Sequence, residues 1–376
     1  MKQNRLYLMF TMLIAALVLA SCSKSVPDYA KIIPKDASAV ARIDVRQISK
    51  KSGFGDNDKM KGKLEKLIKE NLSGTLKKKV QEIIEDPAEA GLDLRDPILI
   101  YAKPDNTDYG ILGTIYKAEK FEELLNAVAK EMDVEKVKKA SDDLRYFSYR
   151  NILVTFNDDW FAITHLKDDD AKKEAKEIAN RCESDKKSIV DNEAFCRMCE
   201  KDGLAQLYVN GKYFYDIAPE LFDTYIYYSN SWDEEEAPPA DDPNNPFDKV
   251  KEILGIDIQN VNGLLDFTMN DGEMALTAEL ISTKDNDDKL IEDVDRIFGG
   301  KDEGTYLRLN FGFIDQIAKK MSGYEAKQAE MVSKLLKYIE VKYEGNAKVT
   351  ARLVTNDSDH TPIQTILDII KKEYGF

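Results

Sequence analysis

The fold class this sequence predicts is α+β, on three observations. Short strands with alternating apolar residues recur along the 376 residues. Amphipathic helical stretches separate them, and pairs of strands are joined by tight polar turns. The order strand, helix, two-stranded hairpin, helix repeats, which predicts antiparallel sheets with helices packed on one face. With 43% hydrophobic and 9% aromatic residues the chain is globular rather than disordered. Its length suits one large core or two smaller ones, and the repeat divides it as 31–190 and 191–376.

The chain starts with Lys2 and Arg5, an apolar block from Leu6 to Leu19, and small residues before Cys22. That is the three-part build of a secretory leader. Crossing a bilayer takes roughly 20 apolar residues, so the block is too short for a span. Leu19-Ala20-Ser21-Cys22 resembles the lipobox of bacterial lipoproteins. The resemblance implies a leader over 1–21, cleavage between Ser21 and Cys22, a diacylglycerol on the Cys22 thiol and an acyl group on its new amine. Membrane lipid is then the expected partner, since several chains make a durable anchor where one does not. The alternative is an ordinary leader cut after Ala20, with Cys22 an unmodified thiol.

Cleavage removes two positive charges and no acid, moving the net charge from −15 to −17. Such acidity argues against nucleic acid or a broad anionic surface as partner. Residues 22–30 read as a short polar tether. Ala41, Ile43 and Val45 alternate with Arg42 and Asp44 as in a half-buried strand. Two helical stripes follow, Met60, Leu64, Leu67 and Ile68, then Leu76, Val80, Ile83 and Ile84. Their outer faces carry Lys59, Lys61, Lys63, Lys66, Lys69, Lys77, Lys78 and Lys79, either a solvated face or a contact with anionic head groups. Gly91-Leu92-Asp93-Leu94 leads to strands at Pro97–Tyr101 and Tyr109–Tyr116, and Phe121, Leu124, Leu125, Val128 and Met132 mark a helix. Strands at 146–149, 152–156 and 160–164 and a polar helix over 169–180 close this half.

The second half repeats the order. A strand over Leu204–Val209 precedes Gly255-Ile256-Asp257-Ile258, the same Gly-apolar-Asp-apolar tetrad. The turn Asn270-Asp271-Gly272 joins a hairpin, and Leu290, Ile291, Val294, Ile297 and Phe298 supply its helix. A third, degenerate copy starts at Tyr306, turns at Glu344-Gly345-Asn346 and ends in a helix with Pro362 in its first turn. Ala41-Arg-Ile-Asp-Val and Leu307-Arg-Leu-Asn-Phe are its sharpest internal echo.

Between the second strand and its hairpin lies an insertion. Tyr225, Tyr227, Tyr228 and Trp232 could stack on sugar rings, or belong to a core helix with Leu221, Phe222 and Ile226. The acidic, proline-rich stretch 233–248 predicts a loop; its acids match no calcium-loop register.

Chemistry-bearing motifs are few. Cys182, Cys196 and Cys199 remain after Cys22. Cys196-Arg-Met-Cys199 has redox or zinc spacing but lacks further ligands. Phe195, Met198 and Cys199 instead fit the inner stripe of a short helix, with a disulfide to Cys182 as the rival reading. His165 and His360 match no metal-hydrolase pattern. No nucleophile elbow, phosphate loop or dinucleotide glycine motif is present. Ser184 and Lys187 match S-x-x-K by spacing alone. The sequence therefore assigns no catalytic residue, no metal and no cofactor, and leans away from an enzyme.

Tyr29-Ala-Lys-Ile-Ile-Pro-Lys-Asp-Ala-Ser-Ala-Val, Arg42-Ile-Asp-Val and Asp191-Asn-Glu-Ala-Phe195 before Leu207-Tyr-Val-Asn210 resemble a family of uncharacterised lipoproteins of Bacteroides-type bacteria. The resemblance covers nearly the whole mature chain and carries no activity. In such bacteria, acids directly after the lipidated cysteine look like a surface-display signal. Ser23-Lys24-Ser25-Val26-Pro27 lacks them, which implies the periplasmic face of the outer membrane. The leading reading is a lipid-anchored, non-enzymatic binding or scaffold module of the cell envelope, with an envelope protein or glycan as partner. A surface-exposed glycan-binding lipoprotein, or a hydrolase with an unrecognised site, are the alternatives.

Overall fold

The structure is a computed structural model. It describes residues 26–53, 62, 66, 68, 70, 72, 74–85, 87–103, 108–167, 169–183, 188–216, 245–283, 287–299, 304–320 and 322–374. The α+β class and the antiparallel pairing are as the sequence predicts, with fourteen strands in one sheet.

The first unit holds Ala39–Ile43 (β1), Val45–Ser52 (α1) and Gly74–Glu85 (α2). The short strand Leu92–Asp93 (β2), the hairpin Ile98–Ala102 (β3) and Tyr109–Ile115 (β4), and Ala118–Met132 (α3) complete it. Asp44 starts α1 as its N-cap, its carboxylate accepting from the Gln47 amide at 2.8 Å. A meander follows: Lys138–Lys139 (β5), Arg145–Tyr149 (β6), Ile152–Phe156 (β7) and Trp160–His165 (β8). Helices Ala171–Glu183 (α4) and Glu193–Cys199 (α5) come next.

The second unit is Ala205–Asn210 (β9), Pro246–Leu254 (α6), the hairpin Val261–Asn270 (β10) and Glu273–Ser282 (β11), and Asp287–Ile297 (α7). The third is Gly304–Asn310 (β12), Gly312–Ala318 (α8), Gly323–Leu335 (α9), Leu336–Gly345 (β13), Lys348–Thr355 (β14) and Pro362–Tyr374 (α10). Each unit pairs its first strand with the near strand of its hairpin. The resulting order is β12-β13-β14-β11-β10-β9-β1-β3-β4-β8-β7-β6-β5, with β2 on β4. The β1–β9 ladder joins the 31–190 and 191–376 stretches within this sheet.

The two tetrads do the same local work. Gly91 and Gly255 both take positive φ, 76° and 78°, at the end of a helical segment. Asp93 and Asp257 then accept backbone amides two residues on, from Arg95 at 3.0 Å and Gln259 at 3.3 Å.

The layering differs from the sequence expectation of separate sheets covered on one face. One face of the first unit packs Ile98, Phe147, Val154, Phe156 and Phe161 against Leu76, Val80 and Ile83 of α2 and Phe121, Leu124 and Leu125 of α3. The opposite face packs Leu99, Tyr101, Leu112, Leu153 and Ala162 against Ala175 and Ile178 of α4 and Phe195, Met198 and Cys199 of α5. Neighbouring residues such as Ile98 and Leu99, or Leu153 and Val154, therefore enter opposite cores. Strands apolar on both faces need a helical layer on each side. A third core joins Leu290 and Val294 of α7 to Tyr343 and Ala347, with Val349 and Leu280 packed against it. On the α2–α3 side one apolar row crosses eleven strands, from Tyr343 and Val349 through Ala278, Leu265, Leu207, Ala41, Ile100, Ile111 and Ile163 to Val154 and Phe147.

Of the expected acidic loop, residues 233–244 lie outside the described residues. Pro246 to Asp248 form the first turn of α6, because Asn245 caps it by accepting from the Phe247 amide at 3.0 Å. The lysine-rich stripe is described at Lys66, Lys77, Lys78 and Lys79. Lys66 pairs with Glu70 and Lys78 with Glu82 four residues on, as on a solvated helix face, whereas Lys79, only 19% exposed, reaches across to Glu123 of α3 at 2.7 Å.

Candidate functional site

A polar cleft of about 900 Å³ lies where the chain enters the body. Pro27 opens a helical turn over Asp28–Ile32 that buries Tyr29, Ala30 and Ile32. The Tyr29 hydroxyl donates to the Pro97 carbonyl, and burial pushes that hydroxyl above the usual tyrosine range. Ile33 continues inward, its carbonyl accepting from the Ile189 amide at 3.0 Å. Val26 to Tyr29 thus form one wall of the cleft.

The opposite wall is set by a side-chain turn. Asn157 Oδ1 accepts from the amides of Asp159 and Trp160, each at 2.9 Å, and so aims Trp160 into the start of β8. Thr114 at the end of β4 donates to Asp96 Oδ2 at 3.0 Å. Helix α4 presents Lys176, Ala179, Asn180 and Glu183 at successive turns, with Cys182 alongside. Five carboxylates, Asp28, Asp96, Asp143, Asp159 and Glu183, face one lysine, Lys176, among the described lining residues. Such a cleft accepts hydrogen bonds from hydroxyls or ammonium groups, with the indole of Trp160 as an apolar wall.

Its cysteine is not poised for covalent chemistry. Burial pushes the Cys182 thiol up to about 11, so at neutral pH it stays protonated and is not a nucleophile. No histidine is among the described lining residues. Among the described residues no group of three His, Cys, Asp or Glu side chains is placed to hold a metal ion.

Two other charged clusters resolve into internal locks. Asp108 is buried and accepts from Tyr101 Oη at 2.7 Å and Lys167 Nζ at 2.8 Å, with Arg181 at 3.6 Å. Burial raises its carboxyl, but the Lys167 and Tyr101 hydrogen bonds and the Arg181 charge outweigh that, and the net shift is downward. The cluster ties β3, β4, the exit of β8 and α4 together. On the polar face of the C-terminal strands, Thr277 and Thr350 bond at 3.0 Å, Lys342 pairs with Glu344 at 2.9 Å, and Lys201 pairs with Glu279. These charges largely neutralise one another.

Of the residues singled out from sequence, Ser21, Cys22, Tyr225, Tyr227, Tyr228 and Trp232 lie outside the described residues, as do Ser184 and Lys187. Cys196 and Cys199 lie on α5 as free thiols, and Cys182 is also free. Cys199 is fully buried with Phe195 and Met198, the inner stripe expected of a short helix. Burial raises the Cys196 thiol and pushes Cys199 up to about 12, so both stay protonated at neutral pH. The two histidines are far apart in the fold: His165 ends β8 beside Tyr109, and His360 bonds Asp357 at 3.0 Å ahead of α10. The cleft itself was not singled out from sequence. Its available signal was Asn157-Asp158-Asp159-Trp160, an aromatic directly after an acidic turn.

Residues 29–226 match a family model described as a domain of unknown function, DUF4836. No curated protein matches the chain. Among solved structures, crystal form I of TP0453 is similar at 11% identity and a TM-score of 0.37, covering 93% of this chain and 99% of that one.

Proposed function

Since this chain belongs to the DUF4836 family, whose domain has no assigned function, its role is read from its own residues, and we propose a lipid-anchored envelope module that binds rather than catalyses. In this reading the leader is cut between Ser21 and Cys22, and Cys22 carries diacylglycerol and acyl chains. The body then faces the periplasm from the outer membrane and engages an envelope glycan or protein.

The observation that carries the proposal is where the tether meets the body. Four Cα-to-Cα steps separate Cys22 from Val26, which lines the cleft. Fully extended they span at most about 14 Å. The polar layer on each side of a bilayer is roughly 5–8 Å thick. A lipid on Cys22 therefore keeps the Trp160 cleft within reach of the head groups. Raised thiol pKa values and a carboxylate-rich lining favour recognition of a hydroxyl-rich or cationic group over bond cleavage.

Labelling cells with radioactive palmitate tests the anchor. The wild-type chain takes up label and sediments with membranes, whereas Cys22→Ser takes up none and leaves the membrane fraction. Unlabelled wild-type protein that remains soluble would refute the reading. For the cleft, Asp143→Asn with Asp159→Asn alters two exposed side chains and leaves the core alone. That variant loses retention on immobilised envelope glycans if the cleft is the binding site.

A further inference from the structure

The two ends of the sheet are built differently. At one end β5 consists of two residues, Lys138 and Lys139, both exposed. A short lysine edge is a common means of blocking strand addition. At the other end β12 is seven residues long, with a register shift at Tyr306 that leaves Leu307 to Asn310 as its regular stretch, and six of its residues, Thr305 to Asn310, are exposed. Among the described residues its outer side has no strand partner. Tyr306, Leu307 and Leu309 are 47%, 57% and 46% exposed, and Phe313 of α8 follows at 48%. An open apolar edge of this length is a template for another strand.

We propose that β12 is the self-association edge of this protein, pairing antiparallel with β12 of a second copy about a two-fold axis at Leu307. A head-to-tail arrangement would need β12 to meet β5, which is too short and carries two lysines. Only the isologous pair matches edges of equal length, and it closes as a dimer rather than a fibre.

Side-chain placement suits the same partner. Leu307 lies beside Val341, and Leu309 beside Ile339, on the face of the long apolar row. A two-fold axis normal to the sheet keeps that face continuous and sets Leu307 opposite Leu307. Arg308, the one charged residue of β12, lies on the other face. It pairs there with Glu340 at 3.8 Å and stacks over Tyr338 at 3.9 Å, so it meets its counterpart already compensated.

The test uses the full chain extracted in mild detergent. Leu307→Cys places two thiols across the axis at a Cβ separation of roughly 4.5–5.5 Å, and mild oxidation gives a disulfide-linked dimer. Leu309→Cys, on the same face with its equivalents about 13 Å apart along the strands, gives none. Leu307→Lys alters an exposed side chain, so it folds; light scattering then shows the mass fall from dimer to monomer at the same concentration. The proposal is overturned by a monomeric wild type, by equal cross-linking at Leu307→Cys and Leu309→Cys, or by Leu307→Cys linking to a different protein.

Discussion

At the residue scale, burial decides which ionisable groups matter. Asp108 has a carboxyl held below the usual carboxylate range and is 4% exposed. A group depressed on folding stabilises the fold above its unfolded value, roughly pH 3.9, and loses that contribution as the pH falls through the folded value. Asp108→Asn is expected to cost about 1–2 kcal/mol at pH 7, with the gap to wild type narrowing from about pH 4 downward. Urea unfolding at pH 7 and pH 3 checks this; an unchanged gap would show that the charge of the Asp108 carboxylate contributes nothing.

Gly91 is the second residue with a sharp consequence. Its φ is +76°, and an added Cβ would lie 2.4 Å from the Lys117 carbonyl oxygen and 2.6 Å from the Phe121 amide nitrogen. Both are backbone atoms at the start of α3 and have nowhere to go. Gly91→Ala should cost about 2 kcal/mol or more. Gly263→Ala in β10, where the nearest atom is 4.0 Å away, should change stability by less than about 0.5 kcal/mol. Equal effects at the two sites would contradict the packing described.

At the element scale, the helix starts are well specified. Thr361 and Gln364 form a reciprocal cap on α10: the Thr361 amide donates to Gln364 Oε1 at 3.0 Å, and the Gln364 amide to Thr361 Oγ1 at 3.4 Å. The Thr361 hydroxyl also reaches the Lys51 carbonyl at 2.5 Å, tying α10 to α1. Thr361→Ala is predicted to cost about 1–2 kcal/mol, read as a lower thermal midpoint. A neutral result would mean that the last helix is held by its apolar face alone.

Much of this level was legible in the sequence. The three hairpins, the helices that follow them and the two Gly-apolar-Asp tetrads stand close to where periodicity and turn chemistry place them. The Arg42 and Arg308 echo also marks equivalent first strands, β1 and β12. The two-sided layering was harder to read. Ile98-Leu99-Ile100-Tyr101 does not alternate, and such a run signals a strand buried on both faces as well as it signals a strand at all. Leu307-Arg308-Leu309 does alternate, yet β12 is a sheet edge and leaves both leucines exposed. Pattern within a strand does not say which strands lie beside it. The cleft was hidden for the same reason: Asp28, Asp96, Asp143, Asp159 and Glu183 are scattered along the chain and meet only through the fold.

At the scale of the whole molecule, three units share one continuous sheet. The first and second meet through β1 and β9, and the second and third through β11 and β14. The cysteines provide a count that links this body to its anchor. Cys182, Cys196 and Cys199 are free, so the chain denatured without reductant should titrate as three thiols when Cys22 is lipidated. Four would mean an unmodified Cys22, and one would mean that a disulfide had formed among the other three. The most direct measurement is the intact mass of the protein purified from its own membranes, followed by sequencing of its first peptide. The account predicts a chain that starts at Cys22 and carries the added mass of a diacylglycerol and an acyl group. A first residue without lipid, or a chain that retains residues 1–21, would contradict it.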